Sequence, residues 1–163
     1  METGIRIMAP SPQTTSPEPV VFPVKTRNFG SINVRSDQII YLEPGLLGFS
    51  HYHRYILIDH DREAPFLWLQ CLDKPDLAFV VIDPRCLLSD YQPGSLGQVM
   101  QEMKVEHPDD LKILAILTIP PGKPQEMTAN LMGPVVINLK TRQGKQVVLE
   151  DTKYNHKHRV LPE

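Results

Sequence analysis

The stretch that most constrains the fold runs from Pro65 to Arg85, PFLWLQCLDKPDLAFVVIDPR. Two apolar runs, Phe66–Leu72 and Leu77–Asp83, flank the turn Asp73-Lys74-Pro75-Asp76. In an extended strand Phe66, Trp68 and Gln70 point to one side, and Leu67, Leu69 and Cys71 to the other. Both faces are largely apolar, and so are both faces of Ala78–Ile82. Such a strand needs cover on each side, which predicts a central hairpin rather than a solvated edge. Each large side chain buried there is worth about 1.5–3 kcal/mol, enough for this hairpin to anchor much of the fold.

Around it the chain is punctuated at short intervals. Met1–Pro19 carries Pro10, Pro12, Pro17 and Pro19 among Ser and Thr, so residues 1–19 are expected to be a solvated, disordered extension that can be removed with little loss of stability. Val20–Arg27 and Ser31–Val34 form a predicted hairpin through Asn28-Phe29-Gly30, with Gly30 free to take a positive φ. Gln38–Leu42 and Tyr55–Asp59 are predicted strands, the first stopped by Glu43-Pro44-Gly45. Ser95–Lys104 is the one helix: Ser95 can cap it, and Leu96, Val99, Met100 and Met103 recur at helical spacing. Lys112–Ile119, Met127–Leu131, Pro134–Leu139 and Gln146–Glu150 complete about ten strands, the last two joined by Thr141-Arg142-Gln143-Gly144. Tyr154–Glu163 is basic and expected to fray, residues 161–163 above all. The expected fold is all-β, mostly antiparallel: one compact β-barrel-like domain over residues 20–160 with one short helix.

A chain of 163 residues, 41% hydrophobic and 22% charged, suits one ordinary domain with its own core. Its net charge of −2 argues against binding nucleic acid through bulk charge. The charge is uneven. Asp59 to Asp90 holds seven acids against Arg62, Lys74 and Arg85, whereas Lys140 to Glu163 holds six bases against three acids. Cys71 and Cys86 have no paired spacing, which predicts free, buried thiols in a reducing compartment. No apolar run approaches the roughly 18 residues of a membrane span, and Met1–Met8 lacks a secretory core, so the expected address is the cytoplasm.

The search for catalytic chemistry turns first to histidine. His51 and His53 alternate, so on a strand both rings would face one way, as a metal site requires. Gly45, six residues earlier, matches the opening of a cupin motif, but Leu57 and Ile58 stand where its glutamate ligand belongs. A cupin-like enzyme using His51 and His53 is therefore the alternative reading, not the preferred one. Asp59-His60-Asp61 and His156-x-His158 also resemble ligand clusters, in polar surroundings. There is no serine elbow, no Cys-His signature and no phosphate-cradling glycine loop. Lys140, Arg142 and Lys145 cluster on a hairpin, yet no aromatics interleave with them as a nucleic-acid platform needs. No metal, cofactor or catalytic residue is expected.

Six stretches, taken in order, resemble the flagellar assembly factor FliW family: TRNFG (Thr26–Gly30), PGLLGF (Pro44–Phe49), PFLWLQ (Pro65–Gln70), DLAFVVIDPR (Asp76–Arg85), MTANLMGPVVIN (Met127–Asn138) and RQGKQVVLED (Arg142–Asp151). The likeness spans about Val24 to Arg159. Met1–Pro23 lies outside the family's core, Cys86 and Gly133 replace a larger apolar residue and alanine, and His156–Arg159 follows the pattern loosely.

The resemblance implies a compact, non-catalytic β-barrel that binds two proteins: CsrA, a small RNA-binding translational repressor, and flagellin. Free flagellin captures the factor and leaves CsrA to silence flagellin mRNA; export of flagellin releases the factor to sequester CsrA. The acidic Asp59–Asp90 run, with Asp76 and Asp83, would suit a basic RNA-binding partner. Further expected contact residues are Phe49, Pro84, Arg85, Asn130, Pro134 and Asn138.

Overall fold

The computed structural model describes residues 6–8, 18–59, 64–150 and 153–161. Among the described residues the strands are β1 (Arg6–Ile7), β2 (Val21–Thr26), β3 (Gly30–Arg35), β4 (Ile40–Leu42), β5 (Arg54–Asp59), β6 (Phe66–Cys71) and β7 (Ala78–Ile82). The helix α1 (Leu96–Glu102) follows, then β8 (Leu111–Thr118), β9 (Thr128–Ala129), β10 (Val135–Asn138), β11 (Gln143–Gln146) and β12 (His158–Arg159). Seven of them, in the order β4-β5-β6-β7-β8-β10-β11, close into a barrel, because β8 also pairs with β10 and β11 runs parallel to β4. Every other pairing is antiparallel. The all-β, single-barrel expectation holds.

The central hairpin sits in the middle of this sheet, with Leu67↔Val81 and Leu69↔Phe79 in register. One face of each strand fills the barrel: Leu42, Tyr55, Leu57, Leu69, Cys71, Val81, Leu114 and Ile137 form the interior cluster. The outer face is covered twice over. The β2–β3 hairpin lays Val24, Ile32 and Val34 over Ile56, Ile58 and Trp68, and Phe29 meets Trp68 edge-on at 5.5 Å. On the other flank α1 brings Val99, Leu96, Met100 and Met103 onto Ile82, Ile113, Ala115 and Val136. Two-sided cover is why both faces of the hairpin are apolar. Ser95 caps α1, its Oγ accepting from the Gln98 amide at 3.3 Å.

Three expectations are corrected. Part of the N-terminal extension is built into the sheet: Arg6 and Ile7 pair with Asp59 and Ile58, and the Met8 amide donates to the Leu57 carbonyl at 3.0 Å. The last barrel strand begins at Gln143, not Gln146. Asn138 and Arg142 close the preceding turn, the Arg142 amide donating to the Asn138 carbonyl at 2.8 Å. Gly144 therefore stands in the strand, where a Cβ would lie 2.9 Å from both Leu42 Cδ2 and the Val136 carbonyl oxygen. The C-terminal segment is also docked: His158 and Arg159 pair with Ala129 and Thr128, and Tyr154 stacks on Tyr91 at 4.5 Å.

Candidate protein-interaction face

Strand directions sort the barrel into two ends. The 43–53 loop, the 72–77 turn, the C-terminus of β8 and the N-terminus of β10 share one end. Asp83, Pro84, Arg85 and Asn138 fall at the other. The expected contact residues therefore do not form one site.

At the Asn138 end they are occupied by the fold. The Asn138 amide donates to the Met103 carbonyl at 2.9 Å, its carbonyl accepts from the Lys140 amide at 2.9 Å, and the residue is 2% exposed. Pro84, expected at a contact, is buried. Asp83 caps the Pro84–Cys86 turn, accepting from the Arg85 amide at 2.9 Å, while the Arg85 guanidinium folds back onto the same carboxylate at 3.1 Å. The Arg85 charge is thereby answered within the turn.

The acidic run is dispersed in the same way. Asp73 pairs with Arg54, and Asp76, exposed at the opposite end of β7 from Asp83, pairs with Lys74 at 3.2 Å. Lys74 holds the Asp76 carboxyl below its usual range. Asp61 and Glu63 lie outside the described residues. The single acidic surface expected from the linear sequence is not present among the described residues. The basic trio is answered too: Lys145 pairs with Glu102 at 3.1 Å, Lys140 approaches Asp110 at 3.6 Å, and buried Arg142 donates to the Gln38 carbonyl at 2.8 Å.

Among the described residues His51 and His53 do not come together as a cupin-like site requires. His51 is exposed in a turn, and His53 Nδ1 donates to the Leu42 carbonyl at 2.9 Å. Neither lies on a strand, so the alternation that would align them does not apply. His60 and Asp61 lie outside the described residues, and among the described residues no three His, Cys, Asp or Glu side chains gather as metal ligands. Cys71 is buried and its thiol is pushed up by burial, whereas Cys86 is exposed, contrary to expectation.

The opposite end is built differently. The PGLLGF loop turns so tightly that a Cβ on Gly45 would lie 2.9 Å from the Phe49 carbonyl oxygen. Phe49 is half-buried and plugs this mouth of the barrel, meeting Phe79 edge-on at 5.2 Å. Its ring serves the core, leaving Leu47, 67% exposed, as the side chain the loop presents to solvent. The Leu47 amide donates to the Gln146 side-chain carbonyl at 3.0 Å, and the Gln146 amide donates to the Gly133 carbonyl at 2.9 Å. Asn130 folds the intervening turn, its carbonyl accepting from the Met132 and Gly133 amides at 3.1 and 2.9 Å. Pro134, buried, offers its carbonyl to the Val147 amide at 2.8 Å.

Three stretches distant in sequence, 44–49, 130–134 and 146–148, are thus wired into one rim. It borders a groove of about 320 Å³ floored by Leu46 and Ile116, with Lys157 and His156 at its edge. Ile119, 41% exposed, follows β8 at the same end. A larger groove of about 710 Å³ beside α1 is lined by Glu102, Glu150 and Lys153, and its most exposed apolar side chain, Val148 at 53%, is less exposed than Leu47. The Leu47 rim is the better candidate, since an exposed apolar anchor on a fixed loop is what protein partners bury.

The FliW protein family model matches residues 23–160. The chain belongs to the FliW family. A flagellar assembly factor FliW from Treponema denticola is 43% identical over 141 residues, covering 86% of this chain and 94% of that one. Its counterpart from Caldanaerobacter subterraneus is 41% identical over the same length, covering 86% and 93%. A crystal structure of the flagellar assembly factor FliW superposes with a TM-score of 0.78 at 32% identity, covering 87% of this chain and 99% of that chain. All six sequence stretches lie within the FliW match, and three of them meet at the Leu47 rim.

Nothing local in the sequence marks Leu47 or Gln146 as functional. Leu47 was hidden in a turn whose aromatic looked like the natural anchor. Gln146 could be found only by knowing that β11 ends opposite the start of β10.

Proposed function

We propose that this flagellar assembly factor acts by binding two proteins in turn, the translational repressor CsrA and flagellin, and so couples flagellin synthesis to flagellum assembly. The observation that carries the reading is the Leu47 rim, an exposed apolar side chain whose loop is bonded to Gln146, itself bonded to Gly133. A binding protein needs such an anchor, because exposed charges alone supply little affinity. Pairing of Asp73, Asp76 and Asp83 with neighbouring bases speaks against imitation of RNA by an acidic surface. It favours antagonism of CsrA through contact beside its RNA-binding surface.

Partner exchange requires complexes of similar strength. Each tenfold bias corresponds to about 1.4 kcal/mol, so a modest rise in free flagellin redistributes the factor. The test is a pull-down with CsrA and flagellin from the same organism, followed by titration of flagellin into the CsrA complex. Displacement of CsrA is the expected result. Failure of both partners to bind at micromolar concentration would overturn the function, and simultaneous binding would overturn the exchange.

A further inference from the structure

β5 is longer than its barrel neighbour. β4 pairs only with Tyr55 and Arg54, because the chain enters β4 through the 3-10 turn Ser36–Gln38 and starts its strand at Ile40. Beyond Tyr55 the backbone groups on that edge have no partner from the barrel, and Leu57 and Asp59 point theirs the same way as Tyr55. An unpaired edge of this kind is a template for another extended chain.

Here the chain fills it with its own N-terminus. Arg6 stands opposite Asp59 and Ile7 opposite Ile58, and the Met8 amide reaches the Leu57 carbonyl at 3.0 Å. The side chains alternate as a strand requires. Ile7 joins the outer cluster around Ile58 and Trp68, and Met8 joins the interior cluster. Both stay only partly buried, and the pairing spans two residues, so the occupant is held by few contacts. The FliW match begins at residue 23, which places this occupant outside the family's shared domain while the edge it fills lies inside.

We propose that the β5 edge at Leu57–Asp59 is a strand-addition site for an extended segment of a partner polypeptide, occupied in cis by Arg6–Met8. The segment it takes follows the chemistry of that occupant: a basic residue opposite Asp59, then two apolar residues, one against Ile58 and Trp68 and one into the barrel. The site is at the opposite end of the barrel from the Leu47 rim and does not depend on what binds there.

The test uses the full chain, its Met8→Pro variant and an Ile7→Glu variant, with a fluorescein-labelled peptide of sequence GIRIMA as the probe. Proline removes the amide that donates to Leu57, and glutamate removes the apolar contact with Ile58 and Trp68. Amide exchange at Asp59 should quicken in both variants while other β5 amides keep wild-type protection. The peptide should bind each variant about tenfold more tightly than the wild type, the factor that a cis strand in place roughly nine-tenths of the time would give. Its binding should restore slow exchange at Asp59. Unchanged exchange in both variants, equal peptide affinity across the three proteins, or binding without renewed protection would each overturn the proposal.

Discussion

The side-chain carbonyl of Gln146 accepts the backbone amide of Leu47 at 3.0 Å, across 99 residues of sequence. The same side chain donates to the Gly133 carbonyl at 2.9 Å, so one amide group joins the 44–49 loop to the turn before β10. Gln146→Ala removes both bonds. It should cost about 1–2 kcal/mol, a fall in Tm of roughly 3–6 °C by thermal denaturation. It should also weaken CsrA and flagellin binding, measured by calorimetry, because the loop that presents Leu47 loses its brace.

Gly144 is constrained by space rather than by φ. A methyl there would press on Leu42 Cδ2 and on the Val136 carbonyl oxygen, both at 2.9 Å, and the carbonyl is backbone that cannot rotate away. Gly144→Ala should therefore separate β11 from β4 or β10, the seam that closes the barrel, and cost about 1–3 kcal/mol. Chemical denaturation measures this. Wild-type stability would contradict the tight closure.

Gly144 also shows where the sequence stopped being legible. A glycine after Thr141-Arg142-Gln143 looks like a turn, and only the approach of two neighbouring strands explains it in a strand. The central hairpin and α1 were legible because their signals are local: alternation, spacing and a capping serine. β1 and β12 are two-residue strands of mixed polarity, defined by the edges they meet rather than by their own pattern. Two of the expected contact residues have structural roles that were hidden for a related reason. Asn130 and Asn138 resembled exposed recognition groups, yet each closes a turn through its side chain. The acidic run looked continuous because sequence does not show which end of a strand an aspartate occupies, nor which arginine folds onto it.

Two buried tyrosines make opposite cases. Tyr91 donates its hydroxyl to the Leu131 carbonyl at 2.7 Å, whereas the Tyr55 hydroxyl inside the barrel has no partner among the described residues. Burial pushes both phenols well above their ordinary range. The unfolded chain releases these protons near pH ~10 while the folded chain keeps them, so their contribution is complete below about pH 10 and is lost as pH rises further. Tyr91→Phe should cost about 1 kcal/mol at neutral pH. Tyr55→Phe should be neutral or slightly stabilising, because no hydrogen bond is lost. Each substitution should flatten the alkaline limb of a stability–pH curve taken by urea denaturation. A steep Tyr55→Phe destabilisation would mean that the hydroxyl is satisfied.

Asp76 and Asp83 offer a test of orientation. They stand at opposite ends of β7, about 23 Å apart along the chain at roughly 3.3 Å per residue. That distance exceeds two Debye lengths at 0.1 M salt, about 10 Å each. Asp76 shares the Leu47 end, so Asp76→Lys should change the association rate with CsrA at low salt and lose that effect at high salt. Asp83→Lys should leave the rate unchanged at both. Stopped-flow association against ionic strength reads the difference, and a reversed ranking would move the CsrA contact to the Asn138 end.

Leu47→Asp separates binding from folding. The side chain is 67% exposed and its backbone amide, which makes the bond to Gln146, is retained. Surface changes of this kind usually stay within about 0.5 kcal/mol of wild-type stability, so Tm should not move appreciably. In a complex the same position would bury a charge against the partner's apolar surface, and loss of such an anchor costs about 2 kcal/mol or more, roughly thirtyfold in Kd. Calorimetric titration of the variant with CsrA and with flagellin gives two independent outcomes. Equal loss for both partners means that they share the rim and compete by exclusion. Loss for one alone places the other elsewhere on the barrel, and any displacement between them must then pass through the protein as a difference in affinity between its states. Wild-type affinity for both would remove the rim as the binding face while leaving the family assignment intact.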